Sequence, residues 1–163
     1  MGDAGIQTDW SLMTAGEWAK FQENPLLAEN QVAVLRRVVT ACPWGDPAEE
    51  STWINDELTT PEFEAAANEA VAQKPEPEDL SVEIEGGNIL FDWNLLTTKA
   101  LVEFQKQSGR VRGQIAVLQK VVVMLPSKWG NPADEETYLK LPLPRYEGLW
   151  RAAQEAKSAD KFR

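Results

Sequence analysis

Apolar residues recur three and four positions apart at Val32, Leu35, Val38, Val39 and Cys42, and again at Ile115, Leu118, Val121, Val122 and Leu125. That spacing marks one buried face of an α-helix. Each run stops at a proline, Pro43 or Pro126, which cannot extend the helical ladder and disfavours helix in the residue before it. Upstream, Thr14 with Glu17 three residues on has the form of a capping box ahead of Trp18 and Phe21, so a helix is predicted over 15–22. Thr97 repeats the cap, with a weaker start because Ala100 stands where the glutamate would be. Asp46-Pro47-Ala48-Glu49 and Asn131-Pro132-Ala133-Asp134 read as a cap, a proline at the first helical position and an acid in the first turn. Each opens a short helix carrying Trp53 or Tyr138. Pro61 and Pro144 open the last helices, which carry Phe63, Ala66, Ala70 and Val71 in one case and Tyr146, Leu149, Trp150 and Ala153 in the other.

These elements come in pairs because the sequence recurs at an offset of 83. Asp9-Trp10-Ser11-Leu12-Met13-Thr14 returns as Asp92-Trp93-Asn94-Leu95-Leu96-Thr97, Phe21-Gln22 as Phe104-Gln105, and Gln31-Val32-Ala33-Val34-Leu35 as Gln114-Ile115-Ala116-Val117-Leu118. Two extra residues, Ser127 and Lys128, shift the frame, so that Trp44-Gly45 pairs with Trp129-Gly130. The original offset is restored at Pro61 and Pro144. The pattern reads as a tandem duplication.

Lys74-Pro75-Glu76-Pro77-Glu78-Asp79 has nothing to bury and favours an extended path. Beyond it, Ser81-Val82-Glu83-Ile84-Glu85 alternates polar and apolar residues, Gly86-Gly87-Asn88 supplies a turn, and Ile89-Leu90-Phe91 follows, which predicts a β-hairpin over 81–91. The first copy has Gly5-Ile6-Gln7 at the matching place and no outer strand, leaving its edge open. The expected architecture is mainly α, with two tandem homologous helical modules that each begin with a short β element. Residues 1–73 form the first repeat, 74–88 the acidic linker and hairpin strand, and 89–163 the second repeat. A unit of about 70 residues buries little surface alone, so the two are expected to pack together through exposed apolar positions common to both.

Composition removes whole classes of function. Among 163 residues there is no His and one Cys, which rules out His-dependent triads, Cys–His dyads, His/Cys zinc sites and an intrachain disulfide. The net charge of -10 disfavours nucleic acid and anionic membrane as partners. No apolar run reaches the about 20 residues that span a bilayer, and the N-terminal Met1-Gly2-Asp3-Ala4-Gly5 lacks the flank and apolar stretch of a signal peptide, so the expected location is cytoplasmic.

Little remains as candidate chemistry. Trp10 and Trp44 recur as Trp93 and Trp129, whereas Trp18 and Trp53 become Leu101 and Tyr138, exchanges that keep bulk and lose the indole donor; packing explains all six tryptophans better than a ligand cage does. Trp150, opposite Ala67, has no aromatic counterpart and is the best candidate for a partner contact. Cys42 corresponds to Leu125, which implies a buried structural thiol. The acids Asp46, Glu49, Glu50, Asp134, Glu135 and Glu136, with Asn131, match no EF-hand spacing; no metal, cofactor or small-molecule substrate is implied. Ser108-Gly109-Arg110-Val111-Arg112-Gly113 has the make-up of an anion loop, although an interhelix loop is the simpler reading. Arg110, Arg112 and Lys128 join Trp150 as candidate partner contacts.

The opening D-W-x-L-[ML]-T, the apolar second helix and the Leu141-Pro142-Leu143-Pro144 start of the last helix resemble the small all-α tail assembly chaperones of long-tailed bacteriophages. The resemblance rests on 92–122, the Leu-Pro segment and again on 9–39. It implies a protein without a catalytic site that coats a partner such as the tape-measure protein through helical self-association, in the host cytoplasm if phage-encoded; the fused duplication departs from the usual single unit. The expected function is therefore a non-enzymatic protein–protein interaction module, with a protein partner or self-association. The alternative is an acidic decoy that imitates nucleic acid to block a basic protein. A carboxylate hydrolase using Glu49 or Glu135 is the enzymatic rival. Residues 1–91 hold 18 acids and 4 bases, whereas 92–163 hold 8 acids and 12 bases, so the two parts can attract, within one chain, which the short linker favours, or head to tail between chains; the plainer alternative is that the charges are solvated faces with no docking role.

Overall fold

The computed structural model describes residues 5–106 and 110–160. The described chain is mainly helical, with two small antiparallel sheets. Strand β1 (Gln7–Thr8) leads through a 3-10 turn (Trp10–Leu12) to helix α1 (Ala15–Gln22), then α2 (Ala28–Val38), β2 (Val39–Ala41), α3 (Glu50–Trp53) and α4 (Thr60–Ala72). After α5 (Ser81–Glu85) the order runs again with one added turn: β3 (Leu90–Phe91), a 3-10 turn (Trp93–Leu95), α6 (Thr98–Gln105), α7 (Arg110–Val121), β4 (Val122–Met124), a 3-10 turn (Ser127–Trp129) that the first half lacks, α8 (Glu135–Leu139) and α9 (Leu143–Asp160).

Several starts are where the sequence places them. The capping box before α1 is complete, with the Glu17 N–H donating to Thr14 Oγ1 at 3.2 Å and the Thr14 N–H to Glu17 Oε1 at 3.0 Å. Thr97 accepts from the Ala100 N–H at 3.1 Å and, without the glutamate, makes half of that exchange. A further box, Thr59 with Glu62, opens α4. The backbone N–H and then the hydroxyl of Thr59 hold the Glu62 carboxyl below its ordinary value, so this cap is present at neutral pH and is lost as pH falls through that lowered value.

Other expectations are corrected. Residues 81–91 form no hairpin. Ser81 donates from its N–H to Asp79 Oδ1 at 3.0 Å, a turn that starts the one-and-a-half-turn helix α5. Leu80 and Ile84, four apart, then fall on one side with Leu80 buried, while Val82 faces solvent; five residues are too few to tell this pattern from strand alternation. Strand β1 has a partner on one edge only, and that partner comes from the core helix rather than from an upstream strand. The helical runs ending at Val38 and Val121 continue as β2 and β4, which pair with β1 and β3. The core helices therefore end before Pro43 and Pro126, because the β-branched Val39 and Val122 turn extended to meet those strands. Asp46 and Asn131 do not cap helices: they accept from the N–H groups of Ala48 and Ala133, two residues on, at 3.0 and 2.9 Å, and α3 and α8 begin later. Cys42 follows β2 and is half-buried rather than buried, its Sγ 3.3 Å from the Gly45 carbonyl.

One core runs through both halves. Trp10 and Trp93 donate from Nε1 to the carbonyls of Ala70 and Ala153, at 3.0 and 2.8 Å. Trp53 Nε1 donates to Pro47 O at 2.9 Å and Tyr138 OH to Pro132 O at 2.6 Å. Tyrosine thus replaces the indole donor instead of losing it.

The halves meet through α1. An antiparallel bridge joins Thr14 to Pro142, with the Ala15 N–H donating to Leu141 O at 2.9 Å and the Leu143 N–H to Met13 O at 2.7 Å. Ala15 and Ala19 are buried against α7, α8 and α9, and Gly16 lets the Leu139 carbonyl come within 3.1 Å of where a Cβ would stand. The positions used are not those common to both halves, since Thr98, Lys99 and Val102 are the α6 counterparts and all three are exposed. Small side chains, not shared apolar ones, allow the close approach.

The 74–80 segment lies extended along α9. The Glu78 N–H donates to Pro144 O at 2.9 Å, Lys74 Nζ is 2.7 Å from Glu147, and Arg145 is 3.3 Å from Glu78. Gly148 makes this possible, because a Cβ there would overlap the Glu78 carbonyl. Gly148→Val is expected to cost about 2–3 kcal/mol, a fall in Tm of roughly 4–10 °C by thermal unfolding; an unchanged Tm would show that the segment does not rest on α9.

Candidate functional site

The two halves differ at the position of Trp18, where the offset of 83 places Leu101. In the first, Trp10 meets Trp18 edge-on with ring centroids 5.6 Å apart, and Trp18 lies 4.9 Å from Phe21. The corresponding residues of the second half are Trp93, Leu101 and Phe104. With Leu101 in place of the indole, a cavity of about 480 Å³ opens between α6, α7 and α9, walled by Trp93, Leu101, Phe104, Val117 and Trp150. Exposed Arg110 and Lys157 also line it, with Gln105, Gln114 and Gln154, and Lys157 Nζ sits 5.1 Å from the Trp93 ring centroid, within reach of its negative face.

A second cavity, about 310 Å³, adjoins the first and shares Arg110, Gln114 and Trp150 with it. Tyr146 lies in its wall, and burial, with the Glu147 carboxylate adding to it, pushes the phenol well above its ordinary value. The hydroxyl therefore keeps its proton and donates to Gln114 Oε1 at 2.6 Å, which fixes that amide between the two cavities. Gln22 Oε1, from α1, is buried in the same region and has no hydrogen-bond partner among the described residues. A donor entering there would relieve the cost of an unsatisfied acceptor. Lys74 and Arg151 add two more cations to this wall.

Of the residues picked from sequence, Trp150 and Arg110 are brought together and line both cavities. Arg112 is elsewhere, 3.6 Å from Glu23 of the first half and 3.6 Å from Glu135 of the second, and so serves contact between the halves. Lys128 is exposed on the 127–129 turn and lines neither cavity. Ser108 and Gly109 of the candidate anion loop lie outside the described residues, while 110–113 are the first turn of α7; Gly113 is a packing glycine, since a Cβ would come within 2.9 Å of the Phe104 carbonyl. Glu49 and Glu135 are exposed at the starts of α3 and α8 and face neither cavity. Among the described residues no group of three acids or cysteines is placed to hold a metal ion, and no helix is long and apolar enough to cross a membrane.

The sequence reading missed Phe104, Gln114 and Lys157. Their signal was available in two pairs at the offset of 83, Trp18 with Leu101 and Ala67 with Trp150, where the large residue stands in the first half in one pair and in the second half in the other. Comparisons of the chain with known protein families, with curated proteins and with solved structures give no match.

Leu101→Trp is expected to fill part of the larger cavity by packing its indole on Trp93 and Phe104, as Trp18 packs on Trp10 and Phe21, stabilising the fold by about 1 kcal/mol and raising Tm by roughly 2–4 °C. A lower Tm would show that the walls are not complementary to an indole.

Proposed function

We propose that the protein is a non-enzymatic protein–protein interaction module that receives an aromatic or aliphatic side chain of a partner, flanked by carboxylates, in the paired cavities around Trp150. The observation that carries this is the composition of the walls. Trp93, Phe104 and Trp150 line the larger cavity and Trp18 and Tyr146 join Trp150 in the smaller, the Gln114 amide is fixed between them, and Arg110, Arg151 and Lys157 place positive charge beside them, in a chain whose net charge is -10. A deep aromatic anchor contributes more to binding than exposed ion pairs do, so the cations act on orientation and partner choice.

The resemblance to bacteriophage tail assembly chaperones fits this reading: it gives the partner as a filamentous assembly component such as the tape-measure protein, and the place of action as the host cytoplasm. The tandem duplication belongs to the same proposal. It is supported by the element order that runs twice and by the matched indole hydrogen bonds at Ala70 and Ala153. In this account one copy kept an indole, Trp18, packed on Trp10 and Phe21, and the other, with Leu101 at that place, left space for a partner. The acidic-decoy alternative is less well supported, because many carboxylates are engaged locally: Glu17 and Glu62 in capping boxes, Asp9, Asp46, Asp79 and Asp92 in turns, Glu78 and Glu147 in ion pairs along α9.

A photo-reactive phenylalanine analogue placed at position 150, and at position 128 as control, tests the proposal in the native host. A discrete polypeptide adduct is expected from 150 and not from 128. Trp150→Ala and Arg110→Glu should each weaken capture of that polypeptide about tenfold or more with the circular dichroism spectrum unchanged. Adducts from 128 alone, or capture indifferent to both substitutions, would contradict it.

A further inference from the structure

The contact between the halves is heterologous. The α1 edge of the first half meets the α8–α9 junction of the second, and among the described residues no backbone hydrogen bond joins the second half's α6 edge to the α3–α4 junction of the first. A contact of this kind leaves one copy of each of its two surfaces unused. The unused pair can be read off at the offset of 83. Leu96, Thr97 and Thr98 stand for Met13, Thr14 and Ala15, and Leu58, Thr59 and Thr60 stand for Leu141, Pro142 and Leu143.

Their backbone groups are free in the way the internal bridge requires. The Ala15 N–H and the Leu143 N–H make the two bridging bonds, to Leu141 O and Met13 O; among the described residues the Thr98 and Thr60 N–H groups and the Leu58 and Leu96 carbonyls have no partner outside their own helices. The surrounding apolar positions are open as well. Met13 is 2% exposed in the internal contact whereas Leu96 is half-buried, Ala19 is 1% exposed whereas Val102 is 51% exposed, and Ile54, near the junction on the receiving side, is 49% exposed. The charges agree. Across the internal contact Glu23 faces Arg112 at 3.6 Å; the residues at the two counterpart positions are Lys106 and Glu29, the same pairing with its polarity reversed.

We propose that the chain associates head to tail with a second copy of itself, residues 96–98 of one molecule pairing antiparallel with 58–60 of the next, and Lys106 facing Glu29. The partner commitment follows from the match of bridge, apolar positions and charge to an interface the chain already makes. Lys99 stands where Gly16 does, so its Cβ holds the two backbones a few tenths of an ångström further apart than in the internal contact. The association is consequently weaker than the internal one and depends on concentration. This inference adds a self-contact to the interaction-module reading and uses a surface separate from the Trp150 cavities.

Sedimentation velocity of the full chain tests it, from about 5 µM to 1 mM at low salt. The weight-average mass is expected to rise above 18.2 kDa with concentration, as a closed pair or an open series. Lys106→Glu and Glu29→Lys should each weaken association about tenfold, and the two together should restore it. Thr60→Pro removes the proposed donor at a helix position that accepts proline and should also weaken association, with the helical signal unchanged. A monomer at the highest concentration would overturn the proposal, as would association insensitive to all three substitutions. A monomer that still forms the position-150 adduct would leave the interaction-module reading standing, so the two fail separately.

Discussion

The backbone bridge at Thr14 and Pro142 is the constraint on which the rest of the structure depends. Two hydrogen bonds set the register between the entrance of α1 and the entrance of α9. With that register, Ala15, Gly16 and Ala19 face α7 to α9 closely enough for backbone contact, and Met13 and Leu143 are buried beside the bridge. Burial of side chains this size contributes about 2 kcal/mol each, more than any exposed ion pair along the same boundary. The Glu23–Arg112–Glu135 group therefore selects orientation, while the apolar and backbone contacts hold the halves together.

From this docking the cavities follow. Seating α1 on α7 places Gln22 and Trp18 beside Arg110, Gln114 and Tyr146, so the smaller cavity is built from both halves, whereas the larger is lined from the second half alone, by α6, α7, α9 and the Trp93–Leu95 turn. The linker completes the wall. Lys74 is held by Glu147 and lies 5.8 Å from the Trp18 ring, and the path of 74–80 along α9 is possible because Gly148 has no side chain. Across the boundary Glu23 meets Arg112 and Glu78 meets Arg145, acids of the first half on bases of the second, while Lys74 and Glu147 pair with the opposite polarity.

Much of this was legible in the sequence wherever a local rule has one physical meaning. Thr14 with Glu17 gave the start of α1, Pro61 and Pro144 the last helices, and the prolines and acids of 74–79 an extended path. It was illegible where two rules share a pattern. Val82 and Ile84 alternate as a strand would, yet Asp79 turns the chain into a helix; Asp46 and Asn131 look like caps, yet each closes a turn onto the N–H two residues on. Val39 and Val122 fit a helical face and an edge strand equally well, and only the partner strands decide. The docking face escaped because it consists of alanine and glycine, whose importance lies in what can approach them. The larger cavity escaped because a void is a relation between Leu101, Trp150 and their neighbours.

Native-state amide hydrogen exchange at low protein concentration tests the bridge most directly. The account predicts that the Ala15 and Leu143 amides exchange only through large openings, with a free energy within about 1 kcal/mol of the Leu118 amide in the core helix, while the amides of Thr98 and Thr60, which lack the bridge, exchange fast. Ala15 and Leu143 exchanging as fast as Thr98 and Thr60 would contradict it.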